Sequence, residues 1–195
     1  MSSMNRRTVF RRFPEMRTRR LVLREPTMND AAWYLEHFSR SEIVRGQGCP
    51  APKNIDAARG ELREYLVDLY KKRMGFRWVI TLKGHGKPIG SVGFYKWSPS
   101  AGYQAEMGYD LDKEYWGQGI MTEAMEAVID FGFRKMKLNR VEVFIMPRNK
   151  RSIGLVKRLG FKKEGVLRQR SFDEFGHLTD DALFSLLSHE WLRRQ

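Results

Sequence analysis

The most chemically suggestive part of the chain is a pair of glycines set between an acid-bearing strand and a long helix. Residues 105–111 have strand character, 112–116 form a polar and aromatic turn, and Gly117-Gln118-Gly119 opens directly into the helix. The first turn of a helix carries amides without intrahelical partners and a partial positive charge. Glycines just before it let an anion come close to the backbone. The amides of roughly Trp116–Met121, Ile120 among them, can therefore cradle a pyrophosphate. A tight turn would use the same glycines, and for a lone GxG that plainer reading is favoured.

Two further features converge on this one. Asn149-Lys150-Arg151-Ser152 stands at the start of a second helix, and Glu106 is an acid inside a strand with apolar neighbours. A strand, helix, strand crossover brings the C-terminal ends of both strands to one edge, where ligands bind in such sheets. Carboxylate, hydroxyl and anion cradle on one edge are the parts of a group transfer from a phosphorylated carrier. Each also has a plain reading: Asn149 or Ser152 as a helix cap, and Glu106 as an exposed strand residue beside a lysine or arginine.

The elements that must position these residues follow from periodicity. Leu21–Arg24 is a short strand closed by Pro26, and Thr27 or Asn29 can cap a helix to about Phe38. Residues 40–53 hold Gly46, Gly48, Pro50 and Pro52 and predict a loop. From Asn54 the spacing of Ile55, Ala58, Leu62, Tyr65, Leu66 and Leu69 is helical. Phe76, Trp78, Ile80 and Leu82 then alternate with Arg77, Val79 and Thr81 as a strand, and Ile89–Tyr95 returns beyond the turn at 83–87. The helix after Gly119 runs to about Lys137, Val141–Met146 is the crossover's second strand, and Asn149–Leu159 is a short helix stopped by Gly160. Phe161–Arg170 and Leu178–Leu187 close the chain as strands. There is no repeat or dividing linker.

Bulk properties narrow the classes. At 195 residues the chain suits one domain with a sizeable core, here 18–195 behind a basic N-terminal tail at 1–17. No apolar run approaches the roughly 20 residues a membrane helix needs, which predicts no membrane partner, and no secretory leader is visible, which predicts a cytoplasmic location. A single cysteine, Cys49, excludes an internal disulfide, and four histidines without paired spacing predict no metal. The net charge of +13, with seven arginines among the first 20 residues, suits an anionic partner: nucleic acid, a polyphosphate cofactor or an acidic protein.

Taken together, these motifs resemble the GNAT N-acetyltransferases, and within them the ribosomal-protein-alanine (RimJ/RimL-like) branch. Thr18–Arg24 is similar to the branch's opening strand, and Trp116–Ala124 to its acetyl-CoA loop. Asn149–Ser152 with Leu155, Arg158, Gly160 and Phe161 is similar to its second CoA motif, and Glu164–Arg168 with Asp181 to Glu190-Trp191 to its last strands. The resemblance covers about 18–191. It departs from the broad superfamily at Trp116, where Gln or Arg is usual, and at Met121, where Gly or Ala often stands. The fold it implies is α/β with an α+β-type mixed sheet: one twisted, mostly antiparallel sheet of about six to seven strands, with a parallel crossover, flanked by helices.

The function implied is transfer from acetyl-CoA to a primary amine. Glu106 would serve as base, and Ser152 as acid or hydrogen-bond donor to the sulfur. Cofactor contacts would come from Tyr109, Leu111, Trp116, Gly117, Gln118, Gly119, Ile120, Met121, Asn149, Ser152 and Arg158. The branch points to the N-terminal α-amine of a protein, with the ribosome as a partner. A small amine (polyamine, amino acid or antibiotic) is the alternative substrate, and a non-catalytic RNA- or ribosome-binding module the alternative class. A homodimer is compatible with the sequence, which carries no code for oligomeric state.

Overall fold

The computed structural model describes residues 9–98 and 103–193. Among these, eight strands form one sheet in the order β1-β2-β3-β4-β5-β6-β8-β7. They are β1 (Met16–Arg17), β2 (Leu21–Arg24), β3 (Phe76–Leu82), β4 (Pro88–Ser98), β5 (Gln104–Leu111), β6 (Arg140–Ile145), β7 (Lys162–Phe172) and β8 (Leu178–Leu187). Neighbours are antiparallel except β5 and β6, which are parallel. The crossover between them is α5 (Ile120–Arg134), as the alternation of periods predicts.

The sheet is buried on both faces at its centre. Phe76, Trp78 and Ile80 of β3 join the core that α5 covers, while Val79 joins a second cluster with Trp33, Ala58 and Leu62. That second cluster lies under α1 (Ala31–Phe38) and α3 (Ile55–Leu62), the latter capped by Asn54, whose Oδ1 accepts from the Ala57 amide at 2.9 Å. Beyond α3 the helix continues through a π turn (Arg63–Val67) into α4 (Asp68–Lys71). Because β3 is covered on both sides, its alternating pattern is apolar against small or paired polar residues, not buried against exposed.

Two expectations are corrected. The tail boundary at residue 17 does not hold, because Phe10 and Phe13 are each only 8% exposed. Phe10 stacks on Phe76 at 4.5 Å and the Trp78 indole donates to the Pro14 carbonyl. Met16–Arg17 then supplies β1, the strand beyond the expected seven; residues 1–8, with Arg6 and Arg7, lie outside the described residues. The loop predicted over 40–53 contains α2 (Ser41–Gln47), which buries Ile43 alone and so shows no apolar period. Among the described residues, α6 (Lys150–Arg158) follows β6 and α7 (Ser188–Leu192) follows β8.

One feature of the sheet creates the site. β5 and β6 pair only at Gln104↔Arg140, Ala105↔Val141 and Glu106↔Glu142. β5 continues to Leu111 and β6 to Ile145, so the strands part after Glu106 and leave one edge of Met107–Leu111 without a β6 partner. Unpaired strand edges offer amide and carbonyl groups to an extended ligand.

Candidate active site

The gap between the parted strands opens into a cavity of about 750 Å³. Its wall is built from β5, β6, the turn before α5, the first turns of α5 and α6, and α2. Successive residues of β5 point to opposite faces. Ala105 and Met107 belong to the α5-side core, which places Glu106, Gly108 and Asp110 on the other face. Tyr95, Gly108, Tyr109 and Ile120 all line the cavity, so it reaches both faces through the gap.

The glycine loop forms the mouth. Gly117 and Gly119 have φ of +76° and +73°, a left-handed conformation that costs an L-residue about 1–2 kcal/mol. The turn before it is held by Trp116, whose indole donates to the Leu111 carbonyl at 2.8 Å, and by Gln118, whose amide donates to Glu114 O at 2.7 Å. Glu123, in the first turn of α5, accepts from Thr18 Oγ1, the Arg20 amide and Arg20 Nε at 2.5, 2.8 and 2.6 Å. Arg20 also donates to the Gln118 carbonyl at 2.9 Å. The start of β2 thus braces the loop from behind. These hydrogen bonds outweigh desolvation and hold the Glu123 carboxyl below its ordinary range. Arg151 stacks its guanidinium 3.8 Å above the Trp116 ring. A cation therefore stands where the broad family would place Gln or Arg in the loop itself. Arg148 and Arg158 also line the cavity.

The inner end of the cavity carries a hydroxyl pair. Asn149 caps α6, its Oδ1 accepting the Ser152 amide at 3.1 Å. Ser152 Oγ lies 2.5 Å from the Tyr109 hydroxyl. Burial pushes the Tyr109 phenol well above its usual pKa, so it is neutral.

Glu106 sits at the last position of β5 that pairs with β6, with its side chain 13% exposed. Lys96 Nζ is 2.7 Å from Glu106 Oε2, and the guanidinium of Arg170 is 3.9 Å away. Arg170 is itself held by Asp181 at 2.9 Å and by the Phe144 ring at 3.5 Å. Tyr95 hydrogen-bonds to the same carboxylate; burial, then the Glu106 charge, raise its phenol to about 12. Glu106 is thus the expected strand residue beside a lysine, and it meets the cavity through Tyr95 and its own neighbour Met107.

Behind the site lies a buried ion cluster. His37, fully buried, is 2.9 Å from Asp110 through Nε2 and 2.6 Å from Asp112 through Nδ1. Asp110 also pairs with Arg77 at 2.6 Å and accepts from the Ser91 hydroxyl at 2.7 Å. The cluster ties α1 and β3 to the end of β5, where the strand turns into the glycine loop. A β-carbon at Gly108 would lie 2.6 Å from Arg77 and 2.8 Å from Tyr95.

Of the sequence-predicted residues, Tyr109, Leu111, Trp116, Gly117, Gly119, Ile120, Met121, Asn149, Ser152 and Arg158 line one cavity. Gln118 turns its side chain back to Glu114, and Glu106 is adjacent to the cavity without lining it. Sequence reasoning missed Tyr95, Lys96, Arg170, Arg20 and Glu123. Arg20 and Glu123 are 103 residues apart, and neither breaks a pattern that would have singled it out. Tyr95 pairs with Glu106 across β4 and β5, a register that the hairpin spacing alone leaves open.

The Acetyltransferase (GNAT) domain family matches residues 20–162. An uncharacterised N-acetyltransferase of Bacillus licheniformis is 34% identical over 89% of this chain and 96% of its own length. The [ribosomal protein uS5]-alanine N-acetyltransferase of Escherichia coli is 29% identical, over 89% and 91%. The ribosomal-protein-S5-alanine acetyltransferase structure from Vibrio fischeri superimposes with a TM-score of 0.76 at 26% identity, covering 91% of this chain and 98% of that one.

Proposed function

The chain belongs to the GNAT acetyltransferase family, and from that membership we propose that its acceptor is the N-terminal α-amine of a protein, attacked directly with Glu106 as base. The chain is an N-acetyltransferase with acetyl-CoA as donor. The site's features suit that molecule: a left-handed glycine loop at a helix start and arginines at the mouth for the phosphates, and an unpaired β5 edge for the amide-bearing arm.

The mechanism is supported by Glu106 at the point where β5 and β6 part and by Ser152 in the wall of the cavity beyond it. Acetyl-CoA supplies a thioester carbonyl open to attack by an amine. An ammonium has no lone pair to attack with, so Glu106 takes its proton, directly or through water. A backbone amide near Met107–Tyr109, on the edge without a β6 partner, donates to the oxygen on which charge develops. Ser152 offers its hydroxyl towards the sulfur. Asn149 fixes Ser152 by capping α6, and Trp116 with Gln118 fix the loop.

Three features favour a protein α-amine. Relatives at 29% and 26% identity bear the name of ribosomal-protein alanine acetylation. Phe172, Phe175 and Leu178 are 59%, 76% and 54% exposed at the tip of the β7–β8 hairpin, which Arg148 and Glu174 join to the cavity rim. An apolar tip of this kind suits a polypeptide better than a small solute. The α-amine also has a pKa near 7.7–8.0 against roughly 10.4 for lysine, so less work is needed to deprotonate it. A polyamine would need acidic walls, whereas Arg45, Arg148, Arg151 and Arg158 outnumber Glu42 and Asp110 around the cavity. A ribosomal acceptor would place the enzyme in the cytoplasm.

The test is a panel of peptides with free Ala or Ser N-termini, set against their N-acetylated forms, spermidine and free amino acids. CoA release with the free peptides alone is expected; turnover confined to the small amines would overturn the protein reading. Two variants test the site's supports. Glu123→Gln removes the charge that anchors Arg20 and the loop, and hydrogen bonds to charged groups are worth about 1.5–3 kcal/mol. Its acetyl-CoA Kd by calorimetry should rise about tenfold, and wild-type affinity would show that the brace does not set the loop. Lys96 holds the place on Glu106 that a substrate ammonium must take. Exposed pairs are worth about 0.2–1 kcal/mol, so Lys96→Met should lower the amine KM by up to about fivefold. A raised KM would mean that Lys96 assists binding instead.

A further inference from the structure

Ser152 is a poor acid on its own, and its neighbour supplies what it lacks. The Tyr109 and Ser152 oxygens are 2.5 Å apart, and both side chains line the cavity. The serine amide is already committed to Asn149 Oδ1. Two hydroxyl hydrogens remain at this point, and a single one fits between the two oxygens. The other is free to face the cavity. A phenol, with an unperturbed pKa near 10, is a stronger hydrogen-bond donor than an aliphatic hydroxyl. Burial keeps that phenol protonated, so its hydrogen is always present to be given.

We propose that Tyr109 is a positioning residue for the sulfur end of the reaction: its hydroxyl donates to Ser152 Oγ and leaves the serine hydrogen aimed into the cavity, where the departing sulfur receives it as a hydrogen bond. This rests on the reading of Ser152 given above. The pair gives up no proton. The C–S bond breaks as the amide C–N bond forms; one ammonium proton passes to Glu106 and on to solvent before attack, the second leaves the attacking nitrogen by the same route as the intermediate collapses, and the thiolate takes a proton from water after release. Thiols have a pKa near 8.5, so a thiolate held by a hydrogen bond is an adequate leaving group near neutrality. The chain of two hydroxyls also strengthens the donor, because each hydrogen bond polarises the next.

Tyr109 thereby has a task of its own beyond contact with the cofactor. The test compares Tyr109→Phe, Ser152→Ala and the double variant, with a free-N-terminal peptide as acceptor and acetyl-CoA Kd measured by calorimetry. Tyr109→Phe keeps the ring, so fold and acetyl-CoA Kd should be unchanged. Its kcat should fall about tenfold, the kinetic equivalent of one hydrogen bond. Ser152→Ala should fall at least as far, and the double variant should be no slower than Ser152→Ala, since groups that act as a unit are not additive. A wild-type kcat in Tyr109→Phe, or effects that multiply in the double variant, would overturn the inference. If Ser152→Ala itself turns over like wild type, the serine reading fails and the tyrosine inference with it. A slow Ser152→Ala beside a fast Tyr109→Phe removes the inference alone.

Discussion

Glu106→Gln is expected to lower kcat by roughly 10²–10⁴, the usual contribution of a positioned acid–base group, with acetyl-CoA affinity unchanged. Glutamine keeps the length and shape of the side chain and can still accept from Tyr95 through its carbonyl. What it loses is the capacity to take a proton and the charge facing Lys96 and Arg170. Lys96 is largely exposed and can turn to water, and Arg170 keeps Asp181 and the Phe144 ring. The substitution should therefore leave the melting temperature nearly unchanged, which separates chemistry from folding. Steady-state rates at saturating peptide, with acetyl-CoA affinity by calorimetry, are the measurements. Turnover at the wild-type rate near neutral pH would remove Glu106 from the base role and turn attention to water held by Tyr95.

Much of the fold is legible because periodicity reports which face of an element is buried. Of the apolar face expected for α5, Ile120 and Ala124 are buried and Ala127 and Phe131 pack against the same core, and β3 forms as expected although it is buried on both faces. The glycine loop is equally legible, since a left-handed turn before a helix calls for glycine and the chain has two there. Illegible features depend on contacts distant in sequence. Phe10 and Phe13 stand among arginines, where composition points to a solvated tail; only the aromatic cluster of Phe76, Trp78 and Trp97 explains their burial. α2 is amphipathic over too few residues to show a period. The parting of β5 from β6 has no sequence code at all: both strands keep their pattern to the end, and only the register reveals where pairing stops. The Tyr109–Ser152 pair follows from that parting, because a closed sheet would have no gap for the two hydroxyls to line.

Asp110→Asn is expected to cost about 3–5 kcal/mol of folding stability, the range for breaking a buried ion pair and leaving its partners uncompensated. Asp110 is the hub between two buried cations, Arg77 and His37, with carboxylate distances of 2.6 and 2.9 Å. Asparagine fits the space but leaves Arg77, only 8% exposed, without its counter-charge. In a chain of this size about 1 kcal/mol moves the melting temperature by about 2–4 °C, so a fall of roughly 6–20 °C should appear. The pH dependence gives a second signature. Desolvation lowers the His37 pKa, but Asp110 and then Asp112 overcome it and raise the imidazole to about 9. Desolvation likewise opposes ionisation of Asp110, and His37 and Arg77 outweigh it, bringing the carboxyl to about 2. The raised histidine contributes stability fully below its unfolded value near 6.5, and loses that contribution as pH climbs through about 9. The depressed aspartate contributes above its unfolded value near 3.9, and loses its part as pH falls through about 2. Wild-type stability from this cluster should therefore be flat between roughly pH 4 and 6.5 and decline on the alkaline side. In Asp110→Asn the alkaline decline should shrink, because Asp112 alone remains to hold the imidazolium. Denaturant melts at pH 5, 7 and 9 decide the matter, and equal stability of variant and wild type at pH 5 would show that the cluster is not a paired-charge network. Since Asp110 stands one residue from Leu111, whose carbonyl anchors Trp116, the variant should also loosen the glycine loop. A weaker acetyl-CoA affinity, measured well below the melting temperature, would tie the buried charges to the cradle they support.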